Sequence, residues 1–152
     1  MYIYHSSRFT FHSSRFTFHS LEDTKITHFI KYWLPVYLYL LLIVIMSSLS
    51  RPPMPKLKFF EIDKLYHLIE YGILSFLSLR AFMNSPRKLL SSDAVFFTVL
   101  TTVVFGLTDE IHQAFVPGRS SNIADWVFDS LGAVAGVLAL KLWLKIYAKI
   151  RT

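Results

Sequence analysis

Two adjacent acids stand inside an apolar stretch that is long enough to cross a lipid bilayer. They are Asp109 and Glu110, in the run from Ala94 to Phe115. An ionisable group near the centre of a membrane helix costs about 2.5 to 3.5 kcal/mol on insertion scales, so such groups normally face a protein interior or a wet cavity. Pro117 and Gly118 are expected to end the helix. The acid pair is therefore the first candidate for chemistry.

An imidazole and two cations elsewhere in the chain could complete a site with these acids. His67 or Glu110 has the chemistry of a general base, and Asp109 that of a nucleophile or cation ligand. Arg and Lys side chains would hold a phosphate or a carboxylate. We name Asp109, Glu110 and His67 as catalytic candidates. Each ligand-binding candidate has a polar side chain and lies in or beside an apolar run. These candidates are Asp63, Lys64, Tyr71, His112, Gln113, Arg119, Asp125 and Asp129.

These candidates also have structural interpretations. Asp63 could cap a helix, and Asn122 with Asp125 three residues later resembles a capping arrangement. Tyr71 could be an aromatic at the membrane interface, and Arg119 could neutralise one of the two acids. The two histidines could be neutral rings hydrogen-bonded between helices. Ligand and scaffold roles both remain open from the sequence.

No metal and no cofactor is predicted. His, Asp and Glu side chains suit divalent cations, but the chain carries no compact ligand motif such as H-E-x-x-H. It has no cysteine, which excludes disulfides, a thiol nucleophile and thiolate metal ligands. Four of the six histidines lie in the first 28 residues, beside two copies of the heptad H-S-S-R-F-T-F. We interpret residues 1–30 as a disordered arm of low complexity, and not as a metal-binding tract.

Composition predicts a membrane protein. The 152 residues are 53% hydrophobic and 17% charged, which is more apolar and less charged than a typical soluble domain. The formal charge of +6 could suggest a nucleic-acid partner. The basic residues, however, flank the apolar runs and do not form one patch, so membrane topology explains them better and no nucleic acid is expected.

The predicted fold is an all-α bundle of four transmembrane helices, formed by residues 31–152 after the arm. Gly132 and Gly136 form a G-x-x-x-G motif in the last helix, which lets another helix approach closely and could also support an oligomer. The four helices are predicted at Tyr32 to Leu49, Lys64 to Met83, Ala94 to Phe115 and Ile123 to Tyr147.

The distribution of Lys and Arg predicts the orientation of the bundle. With four crossings, eleven of the sixteen basic residues lie on the side of the two termini and five on the other side. By the positive-inside rule both termini are cytoplasmic. Most acids lie toward the opposite side, so the polar cluster is predicted to open at the extracytoplasmic face.

Three ordered motifs resemble the VanZ-like family of small bacterial membrane proteins over roughly residues 33 to 147. They are D-K-L-Y-H-L-I-E-Y at 63–71, G-L-T-D-E-I-H-Q-A-F-V-P-G-R at 106–119 and D-W-V-F-D-S-L-G at 125–132. The resemblance implies a multi-pass protein of the bacterial cytoplasmic membrane, in a family whose founding member is associated with teicoplanin-type glycopeptide resistance. Asp129 stands where the family usually has asparagine. The positions that match are Asp63, Lys64, His67, Tyr71, Asp109, Glu110, Gln113, Pro117, Gly118, Arg119 and Asp125.

Three classes of function fit these observations. The protein could be an enzyme acting on envelope lipids or lipid-linked cell-wall precursors. It could instead bind a lipid head group, a precursor or a glycopeptide without catalysis. A small oligomeric proton-coupled carrier is the third class. The sequence leaves open whether the protein is an enzyme, and its expected partners are membrane lipids together with a cell-wall precursor or glycopeptide.

Overall fold

A computed structural model of the chain describes residues 24–50, 60–119 and 121–151. Within these ranges all regular secondary structure is helical, as predicted. Residues 1–23 of the predicted arm and the proline-rich residues 51–59 lie outside the described part. The helices are α1 (Thr24–Ser47), α2 (Phe60–Met83), α3 (Lys88–Ser92), α4 (Ala94–Gln113) and α5 (Ile123–Ile150).

The first helix begins earlier than the apolar run alone predicts. It starts at Thr24, inside the segment assigned to the arm, so the predicted boundary at residues 30 and 31 falls within α1. The turn Phe29–Trp33 is π-helical and ends two residues before Pro35. Proline lacks an N–H and its ring clashes with the carbonyl four residues back. A wider turn at this point accommodates the proline without ending the helix.

Packing between α2 and α5 forms the centre of the bundle. A Cβ atom on Gly132 would lie 2.5 Å from the carbonyl oxygen of Leu68, and one on Gly136 would overlap the carbonyl oxygen of Gly72. The two helices are therefore as close as their backbones allow. The close approach predicted from the G-x-x-x-G motif is made to α2 of the same chain. Self-association through these glycines stays a prediction.

The break after α4 lies where the sequence predicts it. The helix ends at Gln113, two residues before the predicted end. Gly118 has a φ of +82°, and a Cβ there would lie 3.0 Å from the carbonyl oxygen of Ser50. This turn therefore needs glycine. The segment between α2 and α4, predicted to be a loop, contains the short helix α3.

Within residues 24–50, 60–119 and 121–151, three helices are long and apolar enough to cross a membrane, namely α1, α4 and α5. The remaining long helix, α2, carries five charged residues in 24 positions and distributes its polar and apolar side chains unevenly. Its outward side chains Leu65, Ile69 and Ile73 are 53%, 49% and 43% exposed, whereas Tyr71 and Ser75 are fully buried. The apolar face of α2 thus points away from the bundle and its polar face points inward, the reverse of a helix on the surface of a soluble protein.

Candidate functional site

A cavity of about 280 Å³ opens at the end of the bundle where α1 and α4 finish and α2 begins. Its polar lining includes His67, Glu70, Asp109 and Arg119. Apolar and aromatic side chains of α1 and α2 cover another part of the wall, among them Ile43, Met46, Ile69 and Tyr39. The cavity is thus amphipathic and contains both acidic and basic groups.

His67 and Asp129 form a buried pair beside this cavity. Nδ1 of the imidazole lies 2.9 Å from Oδ1 of the carboxylate. The ring nitrogen donates, because an ionised carboxylate can only accept. Asp129 is fully buried and its other oxygen, Oδ2, has no hydrogen-bond partner in the described part of the chain. The structure thus brings together a catalytic candidate and a ligand-binding candidate from two different helices.

A glycine allows three helices to meet at this point. A Cβ on Gly106 of α4 would lie 3.1 Å from Oδ2 of Asp129 and 3.2 Å from Cε1 of Tyr71. Tyr71 is fully buried, so it is not an aromatic at the membrane interface. Its hydroxyl has no hydrogen-bond partner among the described residues. One turn further along α4, Gln113 Nε2 donates to Oδ2 of Asp109 over 2.8 Å.

Glu110 connects the end of α4 to the start of α5 through hydrogen bonds. Its Oε2 accepts from the backbone N–H of Asn122 at 2.9 Å and from the hydroxyl of Ser121 at 3.1 Å. Asn122 in turn caps α5, because its Oδ1 accepts from the N–H of Ala124 at 3.0 Å. The capping interpretation is confirmed for Asn122. The second oxygen of Glu110, Oε1, is buried without a partner in the described ranges.

Arg119 joins the loop after α4 to the end of α1. Its guanidinium donates to the carbonyl oxygens of Met46, at 3.0 Å, and Ser47, at 3.3 Å. The last carbonyls of a helix lack intrahelical donors and carry partial negative charge, which favours a cation there. The hydrogen bonds of Arg119 therefore go to α1 and not to Asp109 or Glu110, the acids that it could have neutralised. Since Arg119 also lines the cavity, it places a fixed positive charge there.

Some candidates lie away from the cavity lining. His112 is exposed and its Nε2 lies 3.0 Å from the hydroxyl of Ser48. Lys64 has its Nζ 5.9 Å from the centre of the Phe128 ring. Asp63 is exposed in the first turn of α2, which starts at Phe60, so Asp63 does not occupy the capping position suggested for it. Asp125 is buried in the first turn of α5.

Several lining residues were not among the sequence-predicted site residues, and Glu70 and Tyr39 are two of them. Glu70 lies one turn after His67 on the polar face of α2, so helical periodicity was a signal that could have identified it. Tyr39 lies near the start of the first apolar run, where an aromatic is also typical of the membrane interface. Which way its ring points depends on how α1 packs, and the sequence carries no direct signal for that.

Potential metal ligands also meet at this end of the bundle. His67, Glu110 and Asp129 each offer one ligand atom, and these atoms lie within 4.8 Å of one another. Asp63, His67 and Asp125 form a second such group. The first group draws on three helices and the second group on two. No motif within one stretch of sequence therefore predicts either group.

A family model described as VanZ/LLP1 matches residues 1–144. The match confirms the resemblance expected from the three motifs, and it extends over the amino-terminal residues that the motifs do not cover. Neither a curated protein nor a solved structure gives a significant match to the chain.

Proposed function

The chain belongs to the VanZ/LLP1 family, and on that premise we propose that it binds the polar head of a membrane amphiphile in the cavity lined by Arg119 and Asp109. The amphiphile is an envelope phospholipid or a lipid-linked cell-wall precursor. The protein acts in the bacterial cytoplasmic membrane, and the cavity faces the extracytoplasmic side. This role would contribute to envelope maintenance and to resistance against teicoplanin-type glycopeptides.

We propose four membrane crossings with both termini in the cytoplasm, which puts the cavity at the extracytoplasmic side of the membrane. Three helices meet the length and hydropathy of a membrane span. The fourth, α2, has 24 residues, which at 1.5 Å per residue gives roughly 36 Å against a hydrocarbon core of about 30 Å. Its exposed apolar face supports a lipid environment. The excess of Lys and Arg near the termini then orients the cavity outward.

The cavity carries the proposal because it combines opposite charges with an apolar wall. Arg119 presents a planar guanidinium, which suits a phosphate or carboxylate. Asp109 and Glu70 line the same space and suit an amine. Ile43, Met46 and Ile69 provide a surface for the first carbons of a lipid chain. A head group with both an anionic group and an amine would pair with the arginine and with the acids of this wall. A purely anionic head group would be repelled by the two acids.

Lipids that copurify with the protein test the proposal. The protein would be extracted with its surrounding membrane into polymer-bounded discs, and the bound lipids and precursors identified by mass spectrometry. We expect enrichment of one amine-containing amphiphile in the wild type, and its loss in Arg119→Gln and Asp109→Asn. Arg87→Gln is the matched control, since Arg87 is exposed at the other end of the bundle.

Two variants are needed because Arg119 also holds the end of α1. Asp109→Asn keeps the shape of the side chain and an oxygen that can accept from Gln113. If both variants retain the same lipids as the wild type while remaining folded, the cavity is not the binding site. If Arg87→Gln reduces the enrichment as much as the two cavity variants do, the lipid is attracted by the overall positive charge of the protein and the proposal is wrong.

A catalytic function is the second candidate, and the His67–Asp129 pair favours it. A carboxylate that accepts from Nδ1 orients the ring and supports the imidazolium form, which is how a general base is positioned in acyl-transfer enzymes. His67 lines the cavity where the head group would bind. Comparing envelope lipids and lipid-linked precursors in cells with wild type, His67→Gln and no protein would distinguish the functions. Catalysis requires a product that is absent in the His67→Gln cells.

A further inference from the structure

We propose that His67, Glu110 and Asp129 bind one divalent transition-metal ion of the zinc class. The three side chains come from α2, α4 and α5, and one potential ligand atom of each lies within 4.8 Å of the other two. All three residues are buried. The proposal concerns the metal alone and does not depend on what occupies the cavity.

Unpartnered buried oxygens point to a cation at this cluster. Glu110 is 4% exposed and Asp129 is 0% exposed, yet Oε1 of the first and Oδ2 of the second have no hydrogen-bond partner in the described part of the chain. Leaving a carboxylate oxygen buried and unpaired is costly, and buried charges are normally paired or coordinate a metal. A divalent ion between the two carboxylates would satisfy both oxygens at once.

The remaining contacts of these residues hold them as metal ligands are usually held. Oε2 of Glu110 is occupied by the N–H of Asn122 and the hydroxyl of Ser121, which orients Oε1. Hydrogen bonds of this kind orient the ligands of protein metal sites and affect their affinity. His67 donates to Asp129 from Nδ1, so binding of the metal through that nitrogen would replace this hydrogen bond and place the single proton of the neutral ring on Nε2.

The donor set suits zinc better than calcium or magnesium. Imidazole nitrogen and carboxylate oxygen are both ligands of Zn²⁺, whereas Ca²⁺ takes six to eight oxygens and Mg²⁺ requires a near-ideal octahedron. Three protein ligands leave one tetrahedral position for water or another small ligand. The group of Asp63, His67 and Asp125, in which Asp63 is exposed, shares the imidazole but has no unpaired buried oxygen among the described residues, so we assign the ion to the fully buried group.

Zinc binding is tested on the full chain, without an affinity tag, in lipid nanodiscs. To remove any contribution of the amino-terminal histidines to Zn²⁺ binding, all variants are made in a background with His5→Ala, His12→Ala and His19→Ala. Zn²⁺ affinity is measured by competition with a chromogenic chelator, and bound metal is counted by mass spectrometry against empty nanodiscs. We expect one Zn²⁺ per chain in this background, with Ca²⁺ unable to displace it.

Two ligand variants and two control variants locate the ion. Changing a residue that only orients a ligand typically weakens metal binding by about 10- to 100-fold, so loss of a ligand in Glu110→Gln or Asp129→Asn should raise the dissociation constant at least tenfold. Asp63→Asn and the exposed His112→Gln are matched controls and should change it less than twofold. No zinc uptake in the background overturns the proposal, as does an unchanged affinity in Glu110→Gln and Asp129→Asn. If Asp63→Asn loses as much Zn²⁺ affinity as Glu110→Gln and Asp129→Asn, the ion belongs to the group of Asp63, His67 and Asp125. That result also overturns the proposal.

A measurement on unaltered cluster residues covers the case in which these variants fail to fold. X-ray absorption at the zinc edge should show one imidazole with oxygen ligands, at about 2.0 to 2.2 Å. A spectrum with two or more imidazoles would contradict the assignment, because His67 is the only histidine in the group.

Discussion

Nδ1 of His67 in α2 lies 2.9 Å from Oδ1 of Asp129 in α5, and both side chains are buried. The two residues are 62 positions apart in the chain. Their contact therefore exists only when α2 and α5 are packed together. Removing one partner of a buried ion pair leaves the other without compensation, so the pair makes each helix depend on the other.

Asp129→Ala should destabilise the protein more than Asp129→Asn. Loss of a buried charged partner costs about 3 to 5 kcal/mol, whereas an amide can still accept from His67 and should cost about 1 kcal/mol. Unfolding in a mixed detergent series, followed by circular dichroism, measures the difference. Asp93→Asn, an exposed acid before α4, is the control and should stay close to wild type. Equal stability of wild type and Asp129→Ala would show that the pair contributes nothing.

Gly136→Ala should weaken the packing of α2 against α5. The added methyl group would overlap the carbonyl oxygen of Gly72, and overpacking of this kind costs about 1 to 3 kcal/mol or more. Gly72→Ala is a matched control, because its Cβ would meet only the carbonyl oxygen of Gly132 at an ordinary 3.5 Å. The same unfolding assay should therefore show a loss for Gly136→Ala and little change for Gly72→Ala. The reverse order would contradict the described contact between the helices.

Asp109→Asn and Glu110→Gln should abolish the proposed glycopeptide resistance while the protein remains in the membrane. Each change keeps the shape of the side chain and removes a charge that is costly to bury. Membrane abundance would be measured beside glycopeptide susceptibility, which is the readout of the proposed resistance role, in cells with and without the protein. A scaffold role predicts the opposite result, in which abundance falls and resistance falls in proportion to it.

Reporter fusions should place the segments after Arg87 and after Arg119 on opposite sides of the membrane. The reason is the crossing by α4 between them, together with the excess of basic residues near both termini. A cytoplasmic reporter should be active after Arg87, and a periplasmic or extracellular reporter after Arg119. Activity of one reporter at both positions would exclude the proposed orientation.

The sequence by itself determined the class of the protein and the order of its helices. Apolar runs predict helices because backbone polar groups must be paired within a membrane, and the start of α4 and the break around Gly118 were located from local signals. The three motifs also identified the family. These features depend on residues close together in the chain, which is why they could be predicted.

Only the tertiary structure decided which polar groups meet. The sequence named His67 and Asp129 as separate candidates, but the distance between them depends on how closely Gly132 and Gly136 let α5 approach α2. His112 was a candidate as well, yet it is exposed and contacts Ser48 just after the end of α1. Arg119 contacts backbone carbonyls that carry no sequence signal of their own. Rotation and separation of helices arise from packing along their full length, and no single stretch of residues specifies them.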